Sequence, residues 1–434
     1  MTNFYMSLRS MGRPFWCLWL GESITAIGTQ LMQFALGVWI YQRTGSVLDF
    51  AGVIVAGLVP QLLVLPVAGA IVDRLDRRWI IIVSDCVAAL MSVAIVILLW
   101  RNRLEVIHLY AFTLVASLTN AFRSPAYQAS IGAMLRDDQL TRASGLLGVS
   151  TTALGILTPT LAGGLMIVIG LTGLAILDLL TFIAGATLIW RAFARLSLAP
   201  IVAQGGMRAV LGESLGNFRR SLAFFGQSAS MAGLFFYSLI QASLLALAAT
   251  LATPLILANH SPQSLGLALS FAAVGALVGS ILMTLLDSPR RRAAVILACD
   301  AVLACCIAGL GLVDSVMAYC LLEAVGCCAG SVGASCAFAL WISKAPETQR
   351  GSISVVQGTA AAICTAVVVL SGATLIDTWL EPALEPGKIL AGVAELLLNV
   401  PNGRAAAMLF VFSGALGLVT ALGGYAFKPL RSLQ

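Results

Sequence analysis

The chain has 434 residues, 59% of them hydrophobic and only 10% charged, where ordinary globular domains carry about 25% charged residues. With a mean hydropathy of +0.97, a soluble globular protein is excluded. The net charge of +6 does not point to nucleic acid, because the basic residues are scattered one to three at a time between apolar runs and form no stripe that could track a phosphate backbone.

A membrane-spanning helix needs about 20 mostly apolar residues. The sequence predicts twelve, at 14–41, 49–71, 79–100, 106–129, 143–168, 171–192, 229–257, 264–286, 293–312, 314–343, 352–376 and 405–427. The first run is longer than the roughly 7–15-residue core of a signal peptide and is read as a retained helix. It carries Glu22, and Ala26, Thr29 and Gln33 follow at i+4, i+7 and i+11 on the same face. With Gln30 beside it, this polar stripe suits the lining of a central cavity. An ionisable residue inside a span is costly and is a functional candidate, so Glu22 is the leading proton-binding group. The bland alternative is a hydrogen bond between helices.

Between the second and third spans lies Gly69-Ala-Ile-Val-Asp73-Arg74-Leu-Asp76-Arg77-Arg78. Such a charged knot belongs in a short loop at a membrane surface. Asp85, early in the third span, and Asp300, early in the ninth, follow basic clusters and are read as salt-bridge partners of those arginines. The fifth span contains Leu154-Gly155-Ile-Leu-Thr158-Pro159-Thr-Leu-Ala162-Gly163-Gly164. Asp178 sits in the sixth span near its outer end. Residues 193–228 are polar and basic and separate a six-helix half, 1–192, from a second, 229–434. In that second half Tyr237 and Gln241 are candidate cavity residues. Glu323, beside Gly326 and Gly330 in the tenth span, joins Glu22 and Asp178 as a proton-coupling candidate. Residues 377–404 form an acidic, proline-containing loop.

A faint internal repeat supports the two halves. Asp73 precedes Arg77 and Arg78 by four and five residues, and Asp287 precedes Arg291 and Arg292 likewise. Met283 stands where a second copy of Gly69 would fall. Arginine asymmetry gives the orientation: with the N-terminus inside, only Arg43, Arg101, Arg103, Lys388 and Arg404 of the 25 basic residues lie outside. Both termini are therefore expected in the cytoplasm.

There is no phosphate-cradling G-x-x-x-x-G-K-[ST] and no H-E-x-x-H. The ten cysteines all fall in apolar runs with no C-x-x-C pair, and there are two histidines. They are read as small packing residues, with no metal site or disulfide expected.

The pattern G-x-x-x-D-R-x-x-R-R at Gly69, Asp73, Arg74, Arg77 and Arg78 resembles the loop between helices 2 and 3 of the major facilitator superfamily of secondary transporters. Pro159 and Gly163 match that superfamily's helix-5 antiporter motif, while Leu154, Thr158 and Ala162 replace its glycines. Ala121-Phe122, Pro125-Ala126, Arg142-Ala143-Ser144-Gly145, the outer Trp379-Leu-Glu381-Pro382 and the closing Lys428-Pro429-Leu-Arg431 look like its macrolide-efflux and siderophore-export branch. The resemblance implies an all-α membrane protein of twelve helices in two six-helix pseudo-repeats. It implies an exporter of amphipathic small molecules (a macrolide-like antibiotic, a peptidic natural product or a siderophore) driven by proton antiport. The protein is expected to act as a monomer in the bacterial cytoplasmic membrane, with no cofactor beyond the proton gradient. The Gly69–Arg78 segment would be a gate, its Asp73 facing the helix N-terminus near Ser352. A lipid or lysophospholipid flippase of the same fold is the alternative, and a membrane enzyme without transport the more distant one.

Overall fold

The computed structural model describes residues 11–72, 75–194, 225, 229–285, 291–344, 350–385, 388, 391, 392, 394, 395, 398 and 400–427. All regular structure among them is helical. In chain order the helices are α1 (Gly12–Thr44), α2 (Val47–Val72), α3 (Arg77–Trp100), α4 (Val106–Met134), α5 and α6 within Asp137–Phe193, α7 (Ala229–Leu257), α8 (Pro262–Leu285), α9 (Arg292–Leu310), α10 (Val316–Lys344), α11 (Arg350–Leu375) and α12 (Arg404–Ala426). Helices are the expected answer here, since a lipid-exposed backbone must satisfy its own N–H and C=O groups.

Ten helices among the described residues are long and apolar enough to cross a membrane. The difference from the twelve expected has two sources. Asp137–Phe193 runs on without a loop and changes direction only at Gly170, whose φ of 64° and ψ of −174° break the helical path into α5 (137–169) and α6 (171–193). A side chain there would be strained. Helix α4 contains His108, Asn120, Arg123 and Gln128, which lower its hydropathy.

The chain forms two compact units, Met1–Trp39 with Ala56–Gly212, and Ile40–Val55 with Glu213–Gln434. In the first, Phe15 and Leu18 of α1, Ile81 of α3, Tyr127 and Ile131 of α4, and Ile189 and Phe193 of α6 make the core. A tight crossing in it lies between α1 and α6. A Cβ on Gly21 would lie 2.9 Å from the Gly185 carbonyl, and one on Gly28 would strike the Thr181 hydroxyl. Small residues at three- and four-residue spacing let these backbones approach.

In the second unit, Leu234, Phe235 and Tyr237 of α7 pack with Ile296 and Leu297 of α9, Leu340 and Trp341 of α10, and Ile353 and Val356 of α11. Helices α8 and α10 cross at Gly275 and Gly279. A Cβ on Gly275 would press on the Ala324 backbone, with its Cα 2.8 Å away, and one turn on Ser280 Oγ meets Ser331 Oγ at 2.8 Å. Beyond α11 the helix widens into a π turn, Ile376–Leu380. Its Asp377 accepts hydrogen bonds from Ser46 Oγ (2.6 Å) and from the Val47 and Leu48 N–H groups (3.2 and 3.0 Å). Those N–H groups open α2, have no partner within the helix and favour an anion.

Because backbone cannot move aside cheaply, Gly275→Ala is expected to lose about 1–3 kcal/mol of stability. Gly423 in α12 has open space around its Cβ position, and Gly423→Ala is expected to hold or raise stability through helix propensity. Thermal unfolding of the two variants in detergent checks the contrast.

Candidate functional site

The polar residues within the spans gather differently in the two units. In the first, α4 contributes Arg123. Its Nη1 and Nη2 each lie 2.7 Å from an oxygen of Glu22 on α1, and its Nε lies 2.7 Å from Asp85 Oδ1 on α3. The Nη1–Oε1 contact is a hydrogen bond, while Nη2 and Oε2 are in ion-pair contact without hydrogen-bond geometry. Asp85 is 4% exposed, Arg123 14% and Glu22 26%, so Glu22 is the most accessible of the three. Asp85 Oδ2 and the nearby Tyr127 hydroxyl are buried without a hydrogen-bond partner. With both acids ionised the trio carries one surplus negative charge.

A second buried acid in this unit is Asp178 on α6, 4% exposed. Ser92 of α3 donates to its Oδ2 at 2.5 Å, and its Oδ1 has no partner. Gly28 leaves it room: a Cβ there would sit 3.0 Å from Oδ1.

In the second unit a cavity of about 340 Å³ opens beside α7, α9 and α10, lined by Tyr237, Gln241, Asp300, Gly330, Gly333, Trp341 and others. That volume is at the small end of the range for drug-sized ligands. Gln241 Nε2 donates to Tyr237 Oη at 3.0 Å, and Tyr237 Oη donates to Asp300 Oδ2 at 2.5 Å. Glu323 is not among the lining residues; the Cys327 thiol is 3.8 Å from its Oε2.

Sequence candidates are therefore partly united. Tyr237 and Gln241 meet in one cavity. Glu22 joins an ion-paired trio, while Thr29 and Gln30 on the same helix are half-buried and Gln33 is exposed. Asp85 pairs as expected, but with Arg123 and not with the basic cluster. Asp300 likewise takes Tyr237 as its partner. The reason is packing: α4 and α7 bring in groups that lie 38 and 63 residues away, which sequence proximity does not show. Arg123 escaped notice although it falls inside a predicted span, where a lone charge is itself a signal.

Of the loop motif, Arg77 Nη1 donates to the Ala129 carbonyl at 3.0 Å, and Arg78 stacks on Trp190 of α6 at 4.8 Å. Asp76 caps α3, accepting from the Arg78 N–H at 2.9 Å. Gly69 lies in α2; Asp73 and Arg74 lie outside the described residues, and so does the side chain of Ser352. Pro159 and Gly163 fall in α5 next to the buried Thr158 and Ala162.

These features define a polytopic membrane protein of the major facilitator fold. Among solved structures it resembles a bacterial homologue of the iron transporter ferroportin in its inward-facing state, with a TM-score of 0.66 at 15% identity, covering 95% of this chain and 98% of that one. At that identity the likeness concerns the fold. A family model described as transmembrane secretion effector matches residues 9–381. The chain belongs to that family, a branch of the major facilitator superfamily of membrane transporters and not a family of enzymes. Macrolide efflux protein A of Streptococcus pyogenes is 26% identical over 166 residues, 38% of this chain and 41% of that protein. The multidrug efflux pump Tap of Mycolicibacterium fortuitum is 33% identical over 109 residues, 25% of each. In both cases the match spans less than half of the relative's length.

Removing one partner of a buried ion pair strands a charge and costs about 3–5 kcal/mol, whereas replacing the whole set with neutral groups is often close to neutral. Arg123→Leu is therefore expected to unfold well below the wild type. Combining it with Glu22→Gln and Asp85→Asn is expected to recover most of the loss. Thermal midpoints in one detergent decide it, and a triple variant no better than Arg123→Leu would count against the trio as an electrostatic unit.

Proposed function

We propose that the protein is a secondary transporter that exports amphipathic small molecules across the bacterial cytoplasmic membrane in exchange for protons. The observation that carries the coupling is the trio of Glu22, Asp85 and Arg123. Two carboxylates share one guanidinium, so one proton brings the cluster to neutrality and its loss restores a net charge. Charge in a low-dielectric site is expensive, and a cluster that toggles between charged and neutral is suited to couple protonation to a conformational change. Glu22, with the greatest access, is the group that exchanges the proton. Asp178 and Glu323 are the further candidates.

The cargo reading rests on chemistry and kinship. The relatives named above are, by name, a macrolide efflux protein and a multidrug efflux pump. The second unit's cavity combines aromatic and aliphatic walls with a few hydrogen-bonding groups, and among the described residues no lysine or arginine lines it. Such a surface buries the apolar part of an amphipathic molecule and orients it with few polar contacts. A macrolide-like, peptidic or siderophore-type product of neutral or cationic character fits it, and a sugar phosphate does not. Thr29, Gln30 and Gln33 of α1 are proposed as cargo-facing residues of the first unit. On this reading the halves 1–192 and 229–434, joined by the linker 193–228, alternate access by rocking. Both termini are cytoplasmic, as the arginine asymmetry requires. The segment Gly69–Arg78 gates the movement, and the functional protein is a monomer in the bilayer.

Proteoliposomes with an imposed pH gradient test this. The wild type is expected to concentrate an amphipathic cargo against its gradient. Glu22→Gln, which leaves the neutral Asp85–Arg123 pair, is expected to bind cargo yet lose the dependence on pH. Unchanged pH-driven accumulation by Glu22→Gln, or saturable uptake of a sugar phosphate with no response to any amphipath, would overturn the proposal.

A further inference from the structure

We propose that Asp300 is the cation-recognising group of the second unit's cavity and selects amphipathic cargo bearing a protonated amine; this rests on the export reading above and narrows its substrate class. Three observations on the same few residues carry it.

The first is the direction of the hydrogen bonds. Gln241 donates to Tyr237, and Tyr237 donates onward to Asp300 Oδ2. Each donor is committed toward the carboxylate, which is held as an acceptor. The chain of donors also fixes the side chain in one orientation, so its second oxygen is presented at a constant place.

The second is that, among the described residues, the charge lacks a counter-ion. Among the described residues, Arg123 answers Glu22 and Asp85, His260 answers Asp314, Lys388 answers Glu385 and Arg404 answers Glu395. No basic side chain among them pairs with Asp300. An acid inside a membrane span is ordinarily paired or functional, and a buried charge without a partner is costly. A cationic cargo supplies the missing charge only while it is bound, so the cost of the empty site becomes binding selectivity.

The third is room and surface. Asp300 Oδ1 lies beside Gly333, where a Cβ would be 3.4 Å away. Gly333 and Gly330 both line the cavity, with Trp341 and Phe338 on its wall. The glycines leave space next to the carboxylate for an ammonium group. The aromatic rings offer faces that attract a cation and apolar area for the rest of the molecule.

The test uses a matched pair of probes on the full-length purified protein: dansylcadaverine, an amphipathic amine, and its uncharged N-acetyl derivative. Binding is read by dansyl fluorescence. The wild type is expected to bind the amine at least about tenfold more tightly than the acetylated form. Asp300→Asn, which keeps an acceptor for Tyr237 in the same volume, should bring the amine down to the affinity of the acetylated probe. It should leave the acetylated probe unchanged. Asp300→Glu should restore the preference for the amine, and Tyr237→Phe should reduce it in part while retaining the charge. Equal loss of both probes in Asp300→Asn would mean a purely structural acid, and an unchanged preference would mean that the cation is recognised elsewhere; either overturns the proposal. Wild-type protein that binds neither probe would count against the export reading itself.

Discussion

A guanidinium gripped by two carboxylates is the interaction on which the first unit depends. Arg123 sits on a helix that packs among apolar neighbours, and in that setting an unanswered charge is not tolerated. Glu22 and Asp85 answer it from α1 and α3. The trio thereby ties three helices together at one point through short contacts. The apolar residues around it, such as Phe15, Ile81 and Tyr127, supply burial but little direction, so the ion pairs set which faces meet. The same constraint makes the cluster responsive: its surplus acid leaves a single proton as the difference between charged and neutral.

The second unit solves the problem of buried charge differently. Among the described residues Asp300 has a hydroxyl for a partner and not a cation. The first unit answers Glu22 and Asp85 with one arginine, while the second leaves an acid facing a cavity. In the proposed exchange the trio would hold the proton and Asp300 would meet the cargo. Glycines at Gly21, Gly28, Gly275 and Gly279 let helices within each unit approach closely. Asp377 is a third use of a carboxylate, spent on the free N–H groups at the start of α2.

Much of the fold was legible because apolar length is a direct readout of membrane thickness. The predicted run 229–257 coincides with α7, and the predicted break between 168 and 171 falls on Gly170, the residue whose positive φ turns the helix. The site was legible only in part. Glu22 stood out as a charge in an apolar run, and Tyr237 and Gln241 as polar groups one turn apart. What could not be read were partners. The basic clusters next to Asp85 and Asp300 are near in sequence, but helix packing hands these acids to Arg123 and Tyr237. Arg123 falls inside the predicted run 106–129, long enough for it to be buried. The loop motif around Asp73 was visible as a pattern, because its spacing is a property of sequence alone.

The central claim is that cargo and proton use one protein in exchange, with the proton held at the cluster of Glu22, Asp85 and Arg123. It is tested most directly by proton release from purified protein in weakly buffered detergent when a saturating amphipathic amine is added. The account predicts a measurable acidification in the wild type, falling to background in Glu22→Gln at equal cargo occupancy. Saturating binding with no pH change, or the same release from Glu22→Gln, would contradict it.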